Sequence, residues 1–253
     1  MIQNKNSIEL TQEELLEMQI KALYIFDSNS RMTAINEPWA SSSGQIKPAP
    51  KLHYGITLDG KSLFRFRHDL SPETIGQLEK FILEEAVAEA VADKANPLNA
   101  CVLKQLGTFL SLLGSDKYII GICYNFSNSI EKDETCGINI NHENINSLEI
   151  GEFDWLIEEI NHCQPCYGFL EENKVVSVCR SVRKSESAHE AGAFTAEKYR
   201  GRGLAESVIL NWAKAVQSKG LYPLYSTSYD NKASQRVAEK MGLDQFGYSF
   251  TFL

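Results

Sequence analysis

The chain has 253 residues, of which 43% are apolar and 23% charged, and its formal net charge at pH 7 is −8. A chain of this length can bury a full core in one large domain or two small ones. The acidic balance disfavours nucleic acid and anionic membranes as partners, because both are bound through clustered Lys and Arg, and it leaves an amine substrate open.

Localisation follows from what the sequence lacks. No apolar run approaches the roughly 18 residues of a membrane-spanning helix, and residues 1–6 contain no apolar signal-peptide core. We therefore expect a cytoplasmic protein without membrane or nucleic-acid partners, either a monomer or a homodimer.

Cysteine usage favours reduced, partly buried thiols, the usual state in a cytoplasmic chain. Cys163-Gln-Pro-Cys166, beside His162, has the spacing of half a zinc site. A structural zinc site usually has a second close pair of ligands, and the sequence offers none. We predict no metal.

The first predicted helix follows a loose tail at residues 1–10. Thr11 and Glu14 form a capping-box pattern that begins it. Residues 36–50 are rich in Ser, Gly and Pro and predict a long loop, which is either functional or a surface connector.

A hairpin and a second helix are expected next. Strands His53–Thr57 and Leu63–Arg67 are joined by Asp59-Gly60, a hairpin turn signal. Ser71-Pro72 opens a helix that extends to Lys94, and Tyr118–Phe126 is a further strand.

A domain boundary is predicted at the polar, unpatterned residues 127–135. Residues 1–130 would form an N-terminal α/β accessory domain, and residues 131–253 a second domain.

The second domain alternates in the order β-α-β-β-β-α-β-α-β, which predicts an α/β (α+β layered) fold with a mixed sheet flanked by helices. The predicted strands are Cys136–Ile140, Cys166–Leu170, Val175–Val182, His189–Thr195, Leu221–Ser228 and Gln245–Leu253. The predicted helices are Asn144–Ile160, Gly203–Ser218 and Asp230–Met241.

The basic, glycine-rich turn Arg200–Ala205 joins a strand to a helix. A pyrophosphate is bound by converging backbone N–H groups and the positive end of a helix dipole. Gly201 and Gly203 allow close approach of the backbone, and the arginines add positive charge. The alternative is a tight strand-to-helix turn with exposed arginines.

Two motifs together resemble the GNAT superfamily of N-acetyltransferases. Its pyrophosphate signature, Q/R-x-x-G-x-G/A, is met by Arg200, Gly203 and Ala205. Its second motif, N-x-x-S/A followed by E-K-x-G-F/L, is similar to Asn231–Ser234 and Glu239–Leu243. The resemblance covers about residues 136–253 and implies acetyl-CoA as co-substrate.

The resemblance also implies cofactor-binding residues. The backbone of one strand would bind the pantetheine arm, the basic turn the pyrophosphate, and the second helix the pantetheine or phosphate side. The strands His189–Thr195 and Leu221–Ser228 would splay apart to admit the cofactor. The implied residues are Ala193, Phe194, Thr195, Arg200, Gly201, Arg202, Gly203, Leu204, Ala205, Asn231 and Ser234.

Attack of an amine on a thioester needs a base and an acid. Glu190 is the predicted base, because it lies ten residues before Arg200 on the cofactor-binding strand. The alternative is a solvated carboxylate, or one paired with Arg180 or Arg183. His189 should point to the opposite face of the sheet.

At the position of the expected general acid, the sequence departs from the family pattern. Many members have a tyrosine four residues before the glycine of the second motif, where this chain has Ala238. Tyr225 and Ser226, at the end of the splayed strand, are the predicted hydroxyl candidates, with Ser228 and Tyr229 beside them.

Arg180 and Arg183 lie on the strand before Glu190. A basic pair on the acceptor side would favour a substrate that carries a carboxylate. The alternative is charge balance with Glu186 and Glu190.

The prediction from sequence is therefore an acetyl-CoA-dependent N-acetyltransferase acting on a small-molecule primary amine. The alternatives are a non-catalytic acyl-CoA-binding module and a protein-interaction module that uses residues 1–130.

Overall fold

A computed structural model of the chain describes residues 10–40, 44–89, 102–126 and 137–253. Residues 1–9 of the predicted tail, the predicted domain-boundary segment 127–135, the predicted end of the helix near Lys94, and Cys101 and Cys136 lie outside the described residues.

The described residues contain six α-helices and eleven strands. The helices are α1 Gln12–Leu23, α2 Pro72–Glu89, α3 Val102–Leu113, α4 Trp155–Glu159, α5 Leu204–Gln217 and α6 Lys232–Met241. The strands are β1 Tyr24–Phe26, β2 Met32–Ile35, β3 Leu52–Thr57, β4 Ser62–Phe66, β5 Tyr118–Asn125, β6 Ile138–Asn139, β7 Cys166–Glu171, β8 Lys174–Lys184, β9 Ala188–Thr195, β10 Tyr222–Ser228 and β11 Asp244–Phe252.

One mixed sheet organises the fold. In the described chain it has nine strands in the order β4-β3-β11-β5-β10-β9-β8-β7-β6, and β1 and β2 form a separate hairpin. Neighbouring strands are antiparallel except β9 and β10, which are parallel. The predicted layered α/β fold is confirmed.

The parallel pairing of β9 and β10 ends part-way along the two strands. β9 and β10 pair at three positions, Tyr222↔Ala188, Pro223↔His189 and Leu224↔Glu190. β9 then stays paired with β8 as far as Thr195, and β10 stays paired with β5 as far as Ser228. A gap therefore opens within the sheet while each strand keeps its other neighbour.

Helices cover both faces of the sheet around this gap. Trp212 of α5 is fully buried in a cluster with Tyr225 of β10. Leu224, the preceding residue of β10, packs instead with Leu15 and Leu16 of α1. Because neighbouring residues of a strand point to opposite faces, α1 and α5 lie on opposite sides of the sheet.

The N-terminal region and the rest of the chain share the sheet. β3 pairs with β11, and β5 lies between β11 and β10. The nine-stranded sheet therefore continues across the two segments that the sequence divides near residue 130, and that boundary stays a prediction.

Local signals predicted several elements correctly. Thr11 caps α1 with Glu14 as a complete capping box, and Asn231 caps α6. The hairpin about Asp59-Gly60 forms as β3 and β4.

Other elements differ from the prediction. Asn144–Ile160 is not largely helical: it holds 3-10 turns at Ile145–Ser147 and Gly151–Phe153 before the short α4, because Gly151 has φ +59° and interrupts a helix. Helix α3 and the β1–β2 hairpin were not predicted.

Candidate active site

A cavity of about 550 Å³ lies between β9, the start of α5 and α6. It gathers ten of the eleven residues for which the sequence predicts cofactor contact. They are Ala193, Phe194, Thr195, Arg200, Gly201, Gly203, Leu204, Ala205, Asn231 and Ser234. Arg202 lies outside the lining, and its Nη2 atom pairs with Glu171 Oε1 at 2.6 Å.

The start of α5 has the properties of an anion site. Gly201 and Gly203 have φ of +77° and +79°, a region that L side chains rarely adopt. A Cβ built on either glycine would meet no atom within 4 Å, so the space beside them is open. Gly203 is the N-cap and supplies no side-chain hydrogen bond, which leaves the first N–H groups of α5 available to a phosphate.

Additional basic residues line the cavity. Arg236 and Lys240 of α6 join Arg200 there, opposed by Glu206, which lies 3.5 Å from Lys240 Nζ. Arg236 and Lys240 were not predicted, although Lys232, Arg236 and Lys240 recur every four residues and so share a helix face. The remaining lining residues that sequence reasoning missed are Tyr199, Ile209, Ala233 and Val237.

The second predicted motif reaches the cavity from α6. Asn231 Oδ1 accepts a hydrogen bond from the Ser234 backbone N–H at 3.1 Å. Ser234 Oγ lies 2.6 Å from the Tyr225 hydroxyl. Ala238 is fully buried in the core, so α6 contributes no phenol to this cavity, whose lining includes Tyr225 of β10 and Tyr199 before α5. Burial raises the pKa of Tyr225, which therefore holds its proton at neutral pH.

Glu190 lies where the sheet opens. It is the last β9 residue paired with β10, and the β8–β9 ladder also shifts register between Glu190 and Ala191. The side chain is 3% exposed, and neither carboxylate oxygen accepts a hydrogen bond from the described residues. Burial raises the pKa of Glu190 to about 7, against the opposing influence of Ser226, Gln19 and the Arg183 charge.

The predicted alternative, in which Glu190 pairs with an arginine, is wrong. Arg180 donates from Nε and Nη2 to Glu159 Oε2 at 3.0 and 2.6 Å. Arg183 Nη2 lies 3.0 Å from Glu37 Oε1. Both arginines form their ion pairs with acidic residues other than Glu186 and Glu190, so Glu190 is left as a buried carboxyl group that lacks an ion-pair partner among the described residues.

The two hydroxyl candidates on β10 face opposite ways. Tyr225 lines the cavity between β9, α5 and α6, whereas Ser226 lines a second cavity of about 480 Å³ on the α1 side. Glu190 is on the Ser226 side, beside Gln19 of α1.

His189 lies on the opposite face from Glu190, as predicted. Its Nδ1 is 2.9 Å from Ser181 Oγ, which also accepts a hydrogen bond from Trp212 Nε1 of α5. Burial lowers the pKa of His189 to about 4, so the ring is neutral and serves this buried network.

Cys163 and Cys166 are both buried and free. In the part of the chain that the structure describes, no group of three or more His, Cys, Asp or Glu side chains could hold a metal ion. No helix in the same residues combines the length and apolar character needed to cross a membrane.

Comparison with known proteins finds a family match in the C-terminal part of the chain. Residues 166–250 match the family model of the GNAT acetyltransferases. The chain is also 33% identical over 78 residues to the uncharacterised N-acetyltransferase YdfB of Bacillus subtilis. That match covers 30% of this chain and 30% of the relative.

Solved structures of similar proteins include a GCN5-related N-acetyltransferase from Kribbella flavida, with 12% identity, a TM-score of 0.45 and coverage of 97% of this chain and 96% of that one. Another is a GNAT-family acetyltransferase from Colwellia psychrerythraea, with 15% identity, a TM-score of 0.45 and coverage of 76% of each chain.

The raised pKa of Glu190 predicts a pH-dependent stability change in Glu190→Gln. Between the ordinary value of 4.5 and about 7 the folded state holds more protons on this residue than the unfolded state does, so its contribution to stability is lost as pH rises through about 7. Glutamine does not titrate. The free energy of unfolding, measured in urea, should therefore fall with pH in the wild type but not in the variant. Between pH 5 and pH 8 the difference should change in favour of the variant, by at most about 1.4 kcal/mol per pH unit.

The exposed Glu186→Gln serves as the matched control and should follow the wild-type pH dependence. Parallel stability curves for wild type and Glu190→Gln would contradict the assignment of a buried, raised-pKa carboxyl group.

Proposed function

Because residues 166–250 match the family model of the GNAT acetyltransferases, we propose that the protein is an acetyl-CoA-dependent N-acetyltransferase. It transfers an acetyl group to the primary amine of a small molecule. The observation that carries this proposal is the gap between β9 and β10, which has a phosphate-binding helix start on one side of the sheet and a buried carboxyl group on the other.

The cavity residues suit coenzyme A. The free N–H groups at the start of α5 and the side chains of Arg200, Arg236 and Lys240 would hold its phosphates. Beyond Glu190, the β9 edge that faces the gap makes no ladder hydrogen bonds to β10, so its backbone groups are available to the amides of the pantetheine arm.

Acetyl-CoA supplies an activated acyl group as its thioester. Glu190 would take the proton of the acceptor amine, directly or through water, and its pKa near 7 makes it an effective base at neutral pH. Tyr225 would hold a proton on the cofactor side of the same gap, where it can protonate the departing thiolate. Ser226, which lies beside Glu190 and lowers its pKa, would help to stabilise the ionised carboxylate.

The burial of Glu190 favours catalysis over passive cofactor binding. A buried carboxyl group without a hydrogen-bond partner costs folding free energy, and acyl-CoA binding alone has no use for it. The four described cysteines are free, which supports a reducing compartment, and we include a cytoplasmic location in the proposal.

The first test concerns the proposed phosphate site at the start of α5. Gly203→Glu and Ala205→Glu each place a carboxylate at the start of α5, and both should weaken acetyl-CoA binding at least tenfold (about 1.4 kcal/mol) by calorimetry. Ala205 lies within the helix, so its variant carries no positive-φ strain.

Gly220→Glu is the matched control for Gly203→Glu, because Gly220 has φ +75° and open space but lies beyond the far end of α5. Unchanged affinity in Ala205→Glu would refute the cofactor site.

The second test concerns the base. Glu190→Gln should lower kcat by about 10²-fold or more, and its acetyl-CoA affinity should stay within about twofold because Glu190 does not line the cofactor cavity. The rise of the wild-type rate through about pH 7 should disappear in the variant. Glu186→Gln is the control, and an unchanged pH–rate profile in Glu190→Gln would remove Glu190 from the mechanism.

The third test concerns the acid. Tyr225→Phe should lower kcat by about tenfold or more and flatten the alkaline limb of the pH–rate profile. Tyr124→Phe is the matched control, since its ring lies 6.3 Å from that of Tyr225 and its residue does not line the cavity. Equal effects of the two substitutions would assign Tyr225 a packing role instead.

A further inference from the structure

The second cavity, of about 480 Å³, lies across the sheet from the cofactor cavity. β10 contributes Ser226, Thr227 and Ser228 to its wall, and Tyr225 belongs to the other cavity. The rest of the wall comes largely from the N-terminal region and β11, including Gln19, Tyr24, His53 and Thr251. The two cavities therefore meet the same splayed strand from opposite faces.

Buried polar atoms without partners cluster at this cavity. Gln19 Oε1 and His53 Nε2 are buried and make no hydrogen bond to the described residues, and both residues line the cavity. Glu190 does not itself line the cavity, but its two oxygens, which are also without a partner among the described residues, lie directly behind the lining residues Gln19 and Ser226. Buried polar groups in folded proteins nearly all have partners. A group of four such atoms indicates that a polar ligand completes them.

Two of these groups suit an amine. Gln19 Oε1 and a Glu190 carboxylate are acceptors, and an amine nitrogen presents N–H donors to them. His53 Nδ1 is occupied by the Tyr24 hydroxyl at 3.0 Å, which leaves Nε2 as the ring atom toward a ligand. The amine of an acceptor would therefore lie at the Gln19–Glu190 end, next to the gap.

The charged side chains in the lining are cationic. Among the described residues they are Arg67 and Arg183, and no Asp or Glu lines the cavity. Arg67 is anchored by Asp69 and the Ala49 carbonyl, and Arg183 by Glu37 and the Val182 carbonyl.

These contacts fix both guanidinium groups but leave some of their N–H donors unused. In Arg67, and likewise in Arg183, the contacts use two of the five N–H donors. Glu37 is also shared with Lys47 at 3.3 Å, so its charge is divided between two cations. Two positioned guanidinium groups match a carboxylate and repel a second ammonium group.

We propose that the acceptor is a small amino acid-like molecule, with a primary amine at Gln19 and Glu190 and a carboxylate bound by Arg183 and Arg67. This inference rests on the proposed function and narrows its substrate class. It places diamines and polycationic amines among the poor acceptors.

The test compares matched acceptors. The panel contains the standard L-amino acids and ω-amino acids of two to six carbons, each beside its carboxamide, together with the diamines of the same lengths. Transfer is measured by thiol release from acetyl-CoA, and binding by calorimetry on protein saturated with CoA. At least one acid should exceed its carboxamide and the diamine about tenfold or more in kcat/KM and in affinity.

Arginine variants assign the preference to the cavity. Arg67→Gln and Arg183→Gln should each lower the affinity for that acid about tenfold and leave the carboxamide nearly unchanged. Arg67→Gln keeps the test valid if loss of the Glu37 contact unfolds Arg183→Gln. Arg65→Gln is the matched control, because Arg65 lies two residues away, pairs with Glu17 and does not line the cavity.

The outcomes separate the two proposals. Acids that bind in an arginine-dependent way without acetyl transfer would support the inference and refute the proposed activity. Carboxamides or diamines that match the acids, or a panel in which no acid binds, would overturn the inference even if transfer to another amine is observed.

Discussion

The end of pairing between β9 and β10, at Glu190 and Leu224, is the constraint on which the rest of the structure depends. A parallel pair that stayed in register would close the sheet and satisfy its own backbone groups. Here the outer neighbours β8 and β5 keep each strand in place while the inner edges separate. The separation exposes backbone donors and acceptors and brings the two cavities to one strand.

Packing on both faces stabilises this open arrangement. Trp212 of α5 and Leu16 of α1 are fully buried on opposite sides of the sheet. The hydrogen bonds of Ser181 link β8, β9 and α5 next to the opening. Such buried contacts contribute about 1.5 to 3 kcal/mol for each large apolar side chain. They offset the cost of a carboxyl group buried without a partner at Glu190.

The N-terminal region contributes to the wall of the second cavity as well as to the sheet. α1 supplies Gln19, β3 supplies His53, and the loop before β3 supplies Glu37, which holds Arg183. Asn36 Nδ2 also donates to the carbonyls of Ala22 and Lys184, and so ties that loop to the end of β8. The loop that the sequence leaves as either functional or connecting thus contacts the wall of the second cavity.

Much of the C-terminal fold was predictable because its signals are local. Caps, glycines at turns and the apolar face of α5 each depend on a few neighbouring residues, and the elements they predict are present. The prediction of a long helix at Asn144–Ile160 was wrong, because its apolar spacing suits a helix but Gly151 interrupts it. Helix α3 was missed because Gly107 lies in its middle, and packing of Phe109 in the core outweighs the low helix propensity of that glycine.

The sequence by itself pointed to the proposed phosphate site, because Arg200–Ala205 and Asn231–Ser234 are short motifs whose geometry follows from adjacent residues. It also pointed to Glu190, but it left open whether that carboxylate is paired. Only the tertiary structure decided this, by directing Arg180 to Glu159 and Arg183 to Glu37. The second cavity likewise combines residues as distant as Gln19 and Thr251, which only the sheet brings together.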